Sequence, residues 1–368
     1  MSDPSVTHPE APPQKHPVKY PTLLSFDALL PQLDDFDAII DVRSPGEFAE
    51  DHLPGAINCP VLDDEERIRI GTLYKQVNAF TAKKAGAALV AHNIARYIET
   101  QFQHHPKGWK PLIYCWRGGN RSGAMTHVLA KIGWPAVQLD GGYKEYRRHV
   151  NARLQELAER LRFRVVCGTT GSGKSRLLQT LAQQGAQVLD LEQLAEHRGS
   201  VLGGLPSSPQ PSQKMFESRL WHALRHFDPQ QQVFVESESK KVGNVRVPES
   251  LMVPIRSASC IALGLSQPHR VELLMQEYDH FVADPEILVA QLACLVTLYG
   301  NERIGLWQKM ARSGDLRPLV NELLVQHYDP AYLKSIERNF IRYAQAEVIT
   351  LDDISEAAFA RAARNLVA

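Results

Sequence analysis

The sequence predicts an α/β protein. An N-terminal parallel-sheet domain is followed by a phosphate-loop (P-loop) α/β domain carrying a mainly helical C-terminal lobe. Three observations point there. Short apolar runs alternate with amphipathic stretches over residues 38–139, and the unusual residues fall just after the runs, as at the carboxyl ends of parallel strands. Gly168-Thr169-Thr170-Gly171-Ser172-Gly173-Lys174-Ser175 completes a G-x-x-x-x-G-K-S pattern between an apolar run and the apolar positions Leu177, Leu178 and Leu181. Beyond His269, apolar residues recur at helical spacing, as in Val271, Leu274 and Met275 and then Leu288, Leu292 and Leu295.

With 368 residues, 44% hydrophobic and 22% charged, the chain is long enough for two cores. Its formal net charge is zero, so any nucleic-acid contact has to be a local patch. Five cysteines without short-range pairing give no zinc cluster and no disulfide framework, and neither zinc nor haem is expected. Cys260 and Cys294 read as small buried hydrophobes. No apolar run approaches the roughly 20 residues that cross a bilayer. A cytoplasmic protein without membrane contact is expected.

In chain order, residues 1–20 read as a flexible tail broken by Pro4, Pro9, Pro12, Pro13 and Pro17. Residues 21–145 form the first domain, with a helical insertion at about 63–105 that breaks near Gly71 and resumes over 79–98. Residues 146–161 are a basic connector helix, 162–265 the P-loop domain and 266–345 the helical lobe. Residues 346–368 return to the P-loop domain as a strand and helix. Within the P-loop domain, strands are expected over 187–192, 232–239 and 253–263, with a Gly-, Ser- and Pro-rich loop from His197 to Pro211.

Chemistry concentrates at two places. Cys115 ends an apolar run and opens the turn Trp116-Arg117-Gly118-Gly119-Asn120-Arg121-Ser122. Backbone N–H groups and two guanidinium groups around one sulfur stabilise a thiolate, which makes Cys115 a candidate nucleophile. In the P-loop, Gly168, Gly171, Ser172 and Gly173 let N–H groups curl around phosphate, Lys174 adds charge and the Ser175 hydroxyl can ligate magnesium. Asp190, Glu236 and Glu238 end strands at the same edge, with Glu236 standing where a magnesium-coordinating acid is expected. Between Gly141 and Arg176, nine Lys and Arg face three Glu. Lys144, Arg147, Arg148 and Arg153 there, with Lys240 and Lys241, are candidate RNA-backbone contacts; a solvated helix and loop are the plainer alternative.

Asp41-Val42-Arg43-Ser44-Pro45 with Glu47-Phe48, then His52-Leu53-Pro54-Gly55-Ala56-Ile57-Asn58, and finally the Cys115 loop, resemble a rhodanese domain. Adding Gly71-Thr72-Leu73-Tyr74-Lys75-Gln76, Asp140-Gly141-Gly142-Tyr143-Lys144, the P-loop, Asp190-Leu191-Glu192 with His197-Arg198-Gly199-Ser200, Glu236-Ser237-Glu238-Ser239 and Tyr328-Asp329-Pro330-Ala331-Tyr332, the chain resembles the bacterial tRNA 2-selenouridine synthases. Asp140, where Glu is as common, and Lys240, where Arg is common, are small departures.

The resemblance implies replacement of sulfur by selenium at C2 of wobble 2-thiouridine in the tRNAs for lysine, glutamate and glutamine. Selenophosphate is the donor, and the sulfur is first geranylated with geranyl diphosphate. It further implies that Cys115 handles chalcogen, that the loop of Arg117, Gly118, Gly119, Arg121 and Ser122 holds selenophosphate, and that the P-loop cradles diphosphate with magnesium at Ser175 and Glu236. A selenophosphate-producing enzyme is an implied partner. An ATP-dependent sulfur- or phosphoryl-transfer enzyme acting without RNA is the alternative, and a regulatory interaction module a more distant one.

Overall fold

The computed structural model describes residues 21–200, 203–204 and 209–367. The predicted N-terminal tail and part of the Gly/Ser/Pro loop lie outside them. The chain divides into two compact units after residue 146, with the short stretch 50–54 grouped with the second.

The first unit runs β1 (Thr22–Leu24), α1 (Phe26–Leu29), β2 (Ala38–Asp41), α2 (Pro45–Glu50), β3 (Ala56–Asn58), α3 (Asp64–Gln76), α4 (Ala79–Tyr97), β4 (Pro111–Tyr114), α5 (Asn120–Ile132), β5 (Val137–Leu139) and the start of α6 (Gly142–Arg160). Its sheet has the order β1-β5-β4-β2-β3 and is parallel throughout. Ile40, Ile113, Met125 and Leu129 are fully buried in its core, with Trp109 and Trp134 packed edge to face. β1 was not foreseen: three residues pairing only with β5 carry too little periodicity to register.

The insertion is helical, but its break falls at Val77-Asn78 rather than at Gly71, which lies inside α3. One glycine weakens a helix by only about 1 kcal/mol. Asp63 and Glu66 instead start α3 with a reciprocal capping box, and the Asn78 side chain starts α4 by accepting the Thr81 N–H at 2.7 Å.

The second unit continues with β6 (Arg162–Cys167), α7 (Lys174–Gln183), β7 (Gln187–Leu189), α8 (Leu191–Ala195), α9 (Gln213–Arg225), β8 (Gln232–Glu236) and the small hairpin β9 (Lys241–Val242) and β10 (Val245–Arg246). Then come α10 (Glu249–Ser257), β11 (Ser259–Leu265), α11 (Gln267–Glu277), α12 (Asp279–Ala283), α13 (Pro285–Leu292), α14 (Val296–Ser313), α15 (Leu316–Leu323), α16 (Asp329–Asn339), β12 (Glu347–Leu351) and α17 (Glu356–Val367). The main sheet, ordered β12-β11-β6-β8-β7, is again parallel. β6 sits at its centre, where the strand order reverses direction. The helices α11–α16 enclose a separate core around the fully buried Trp307, Leu292 and Leu319.

Several sequence expectations are corrected, among them the strand expected over 232–239, which ends at Glu236. The run at 187–192 stops being strand at Leu189, because Asp190 caps α8 by accepting the Gln193 N–H at 2.7 Å. Residues 253–257 belong to α10, which tolerates Pro254 in its interior, and the strand begins only at Ser259. The basic helix expected from 146 begins at Gly142. Cys294 is exposed, whereas Cys260 is buried as expected. No helix among the described residues is long and apolar enough to cross a membrane.

Asp41 and Arg43 are 0% and 1% exposed and form a bidentate pair, Nε and Nη2 to the carboxylate at 2.6–3.0 Å. Asp41→Ala leaves a guanidinium buried without its counter-charge and should destabilise the first unit by about 3–5 kcal/mol, read as a lower urea midpoint from Trp109 and Trp134 fluorescence.

Two candidate active centres

The first centre is built where β4 ends. Cys115 is buried, and Ser122 on the first turn of α5 donates its Oγ hydrogen bond to Cys115 Sγ at 3.2 Å. Gln138 of β5 fixes that serine, donating Nε2 to Ser122 Oγ at 3.1 Å and to the Gly118 carbonyl at 2.6 Å. The N–H groups of Tyr143 and Lys144, opening α6, donate to the Cys115 and Trp116 carbonyls at 2.8 and 3.0 Å. Gly142 makes this approach feasible: its φ is +59°, and a Cβ there would lie 2.2 Å from the Cys115 oxygen. The Asp-Gly-Gly-Tyr-Lys stretch is therefore the floor of the cysteine loop.

Gly119 precedes α5, so the helix starts at the loop and presents its positive end there. Of the loop arginines, Arg117 is exposed, while Arg121 Nη1 donates to Glu47 Oε2 at 2.8 Å. Burial acts to raise the Glu47 carboxyl, but the Arg121 hydrogen bond and charge and the Ser44 N–H outweigh it and hold the group below its usual range. Arg43 lies over the Tyr143 ring, 4.0 Å from its centroid, which ties the first signature of the domain to the last.

The second centre follows β6. Lys174 is buried, donates to the Gly168 and Thr169 carbonyls at 2.9 and 3.4 Å, and lies 5.2 Å from the centroid of the Tyr332 ring. Gly173 has φ +88°, and a Cβ there would meet the Phe359 ring at 2.7 Å, so the loop closes tightly on α17. Arg270 of α11 braces the loop from behind. Its Nε and Nη2 donate to the Thr170 carbonyl at 2.9 and 2.7 Å while Asp329 accepts from Nη1 and Nη2. Arg198 enters from the other side, stacked 4.6 Å from the Tyr278 centroid and donating to the Glu277 carbonyl.

The acids converge as the strand ends require, with Glu192 added to them. Ser175 Oγ donates to Glu192 Oε2 at 3.0 Å, and the Glu192 N–H donates to Glu236 Oε1 at 2.8 Å, so Glu192 stands between the two groups expected to meet. Burial, then the charges of Asp190, Glu192 and Glu238, push Glu236 well above its usual range. Burial and the charge of Glu192 push Glu238 to about 8, and burial opposed by the Gln193 N–H leaves Asp190 at about 6. Thr170 Oγ1, Ser172 Oγ, Glu236 Oε2 and Glu238 Oε1 are buried without a hydrogen-bond partner. Buried polar groups are rarely left unmatched, and four around one loop point to a ligand that satisfies them.

The structure brings Gly168, Gly171, Ser172, Gly173, Lys174, Ser175, Asp190, Glu236 and Glu238 to one strand edge. The basic candidates disperse. Arg147 pairs with Glu217 and lies 3.8 Å from Asp51, Arg153 pairs with Glu156 and Lys240 with Glu249. Lys144, Arg148 and Lys241 are exposed. Sequence reasoning omitted Glu192, Arg198, Arg270 and Asp329 from the site. Glu192, Arg198 and Asp329 stood inside quoted motifs, whereas nothing local marked Arg270.

Residues 25–149 match the rhodanese-like domain family, and residues 139–287 match the AAA domain of tRNA 2-selenouridine synthase. The chain is 32% identical over 351 residues to a tRNA 2-selenouridine synthase from a Sulfurovum species, covering 85% of this chain and 94% of that protein. The chain belongs to the tRNA 2-selenouridine synthase family. A second relative of that name, from Nitrosomonas eutropha, is 31% identical, with 82% of this chain and 88% of the relative aligned. Against its Nitrosomonas europaea counterpart identity reaches 36%, over 65% of this chain and 63% of that protein. The α/β reading of both domains, rhodanese first and P-loop-like second, thus holds.

A carboxyl raised by folding stabilises the fold fully below its unfolded value and stops doing so as pH rises through its folded value. For Glu238 that window runs from 4.5 to about 8. Wild-type melting temperature should therefore fall between pH 5 and pH 9, and Glu238→Gln should reduce that fall by several degrees. An unchanged pH profile in a thermal melt would contradict the buried-acid assignment.

Proposed function

We propose that this protein exchanges sulfur for selenium at C2 of wobble 2-thiouridine in the tRNAs for lysine, glutamate and glutamine. Geranylation of the sulfur at the P-loop centre precedes a selenium step at the Cys115 centre. One observation carries the choice of a prenyl donor. The pocket containing Lys174, Ser175 and Arg198 shares Thr170, Ser200, Leu274 and Tyr278 with an adjoining cavity, lined otherwise by apolar side chains such as Phe281, Leu288, Leu316 and Leu323. A polar phosphate pocket opening on an apolar chamber suits a diphosphate with a hydrocarbon tail. A nucleotide base and ribose would leave their polar edges unmatched there, which argues against the ATP-dependent alternative.

In this reading the uridine sulfur attacks the first carbon of the geranyl chain. The carbon–oxygen bond breaks, and diphosphate leaves with the electron pair. Lys174, Arg198 and the loop N–H groups stabilise the charge that develops on the departing oxygen. Magnesium fits the site: Ser175 Oγ, the unpartnered Glu236 Oε2 and the donor's own phosphate oxygens would hold it, and it would neutralise diphosphate charge. Among the described residues no three His, Cys, Asp or Glu side chains close on a metal, and magnesium ordinarily takes one or two carboxylates together with phosphate and water.

At the other centre the selenium nucleophile, supplied as selenophosphate by a separate enzyme, attacks C2. The alkylated sulfur leaves as the geranyl thiolate, a better leaving group than the thiocarbonyl sulfur; water then attacks phosphorus, the selenium–phosphorus bond breaks and phosphate departs, leaving selenium on C2. Arg117, the α5 N-terminus and Ser122 are placed to hold an anion beside Cys115. The exposed Lys144 and Lys241 suit RNA phosphate, and a wobble base is already single-stranded, so presenting it costs little.

Mass spectrometry of tRNA nucleosides tests the division of labour. Cys115→Ala should abolish 2-selenouridine while S-geranyl-2-thiouridine accumulates; loss of both products would overturn it. Lys174→Ala should lower both by at least about a hundredfold, the scale of removing one main charge-stabilising group, and near-normal geranyl transfer would refute the P-loop assignment.

A further inference from the structure

The insertion helices α3 and α4, with α5, flank an open groove of about 900 Å³ beside the cysteine loop. Its lining is of two kinds. Small and aliphatic residues of α4, among them Ala82, Gly86, Ala87, Val90 and Ala91, form an apolar wall, completed across the groove by Ile70, Ala124 and Val128. Arg67, Lys75, Lys83, Arg117 and Arg121 also line it, and no carboxylate does. Arg67 and Arg121 share Glu47, whereas Arg117, Lys75 and Lys83 have no ion-pair partner among the described residues. Arg117 and Arg121 belong equally to the Cys115 loop, so the groove ends at that centre.

An apolar wall within a wholly cationic rim matches a ligand that joins a hydrocarbon group to a polyanion. Water alone would favour neither the exposed Ala87 and Ala91 nor three unpaired cations gathered on one concave face. We infer that this groove binds the S-geranyl group of the alkylated uridine while the RNA phosphates lie along its basic rim, presenting C2 to the Cys115 centre. The inference rests on the geranylation reading, and it gives the insertion a task distinct from that of the P-loop cavity, which would hold the same chain on the donor. It also supplies a reason for the intermediate to move to the selenium centre: the alkylated base, unlike its 2-thiouridine precursor, buries apolar surface there.

The test measures binding of the full-length protein to two synthetic anticodon stem-loops, one with S-geranyl-2-thiouridine and one with 2-thiouridine. Wild type should bind the geranylated RNA about tenfold more tightly or better, the order expected when a few methylenes leave water. Ala87→Trp fills the groove from an exposed position and should abolish that preference while leaving 2-thiouridine RNA binding within about twofold; the measurement is made in the Lys174→Ala background, so that the P-loop centre does not contribute. Ala91→Phe is the second variant, and thermal melts establish that each is folded. Equal affinity of wild type for both RNAs, or a preference unchanged in both variants, overturns the inference. So does free geranyl diphosphate binding to Lys174→Ala protein that is lost with Ala87→Trp, because the groove would then serve the donor. Failure of the geranylation reading shows separately, as absence of geranyl transfer from geranyl diphosphate to 2-thiouridine RNA.

Discussion

Parallel strands covered by helices on both faces leave no room for polar side chains along their length, and everything ionic must gather where the strands end. The buried runs of β4 and β8 follow that constraint, although Gln138 of β5 and Arg164 of β6 lie within their strands, and both centres form at strand ends. The 0% exposed Ile113 and Tyr114 lead into Cys115 in the first unit; in the second, the equally buried Val165, Val166 and Cys167 lead into the P-loop. Helices that start at these edges bring their N-terminal N–H groups to the same place, α5 at the cysteine and α7 at the phosphate loop, while the first N–H groups of α6 are spent on the cysteine loop's own carbonyls. The N–H groups gathered at each centre are thus a backbone property, to which Arg117, Lys174 and Arg198 add positive charge.

The two centres use burial differently. Around Cys115, polar groups are matched internally: Asp41 with Arg43, Glu47 with Arg121, Gln138 with Ser122 and the loop carbonyls. Around the P-loop, matching is left incomplete, with carboxyls raised by burial and mutual repulsion and with hydroxyls lacking partners. The first centre is an internally matched cradle, and the second a cluster of acids and hydroxyls whose matching is left open.

Much of this was legible from the chain. The alternation of apolar runs and helical stretches gave the order of most elements, and the P-loop residues with the acids after β7 and β8 meet where strand-end logic requires. Cys115 could be singled out because glycine, arginine and serine crowd behind it. What failed did so for local reasons. Asp190 prefers to cap a helix rather than extend a strand, Asn78 competes better than Gly71 to interrupt the insertion, and a proline within α10 disguised it. The basic residues of the connector and of the loop after β8 show a broader limit: local charge excess cannot reveal that Arg147 turns to Glu217 and Lys240 to Glu249.

The sequence by itself marked the two candidate centres, because a thiol in a glycine-rich cationic turn and a G-x-x-x-x-G-K-S loop are each continuous along the chain. Tertiary structure decided what lies beside them. Glu192 between Ser175 and Glu236, Arg270 bracing Thr170 through Asp329, and the apolar cavity sharing Tyr278 with the phosphate pocket all join residues far apart in sequence. Such neighbours are selected by packing, which follows the fit of whole surfaces rather than any spacing along the chain.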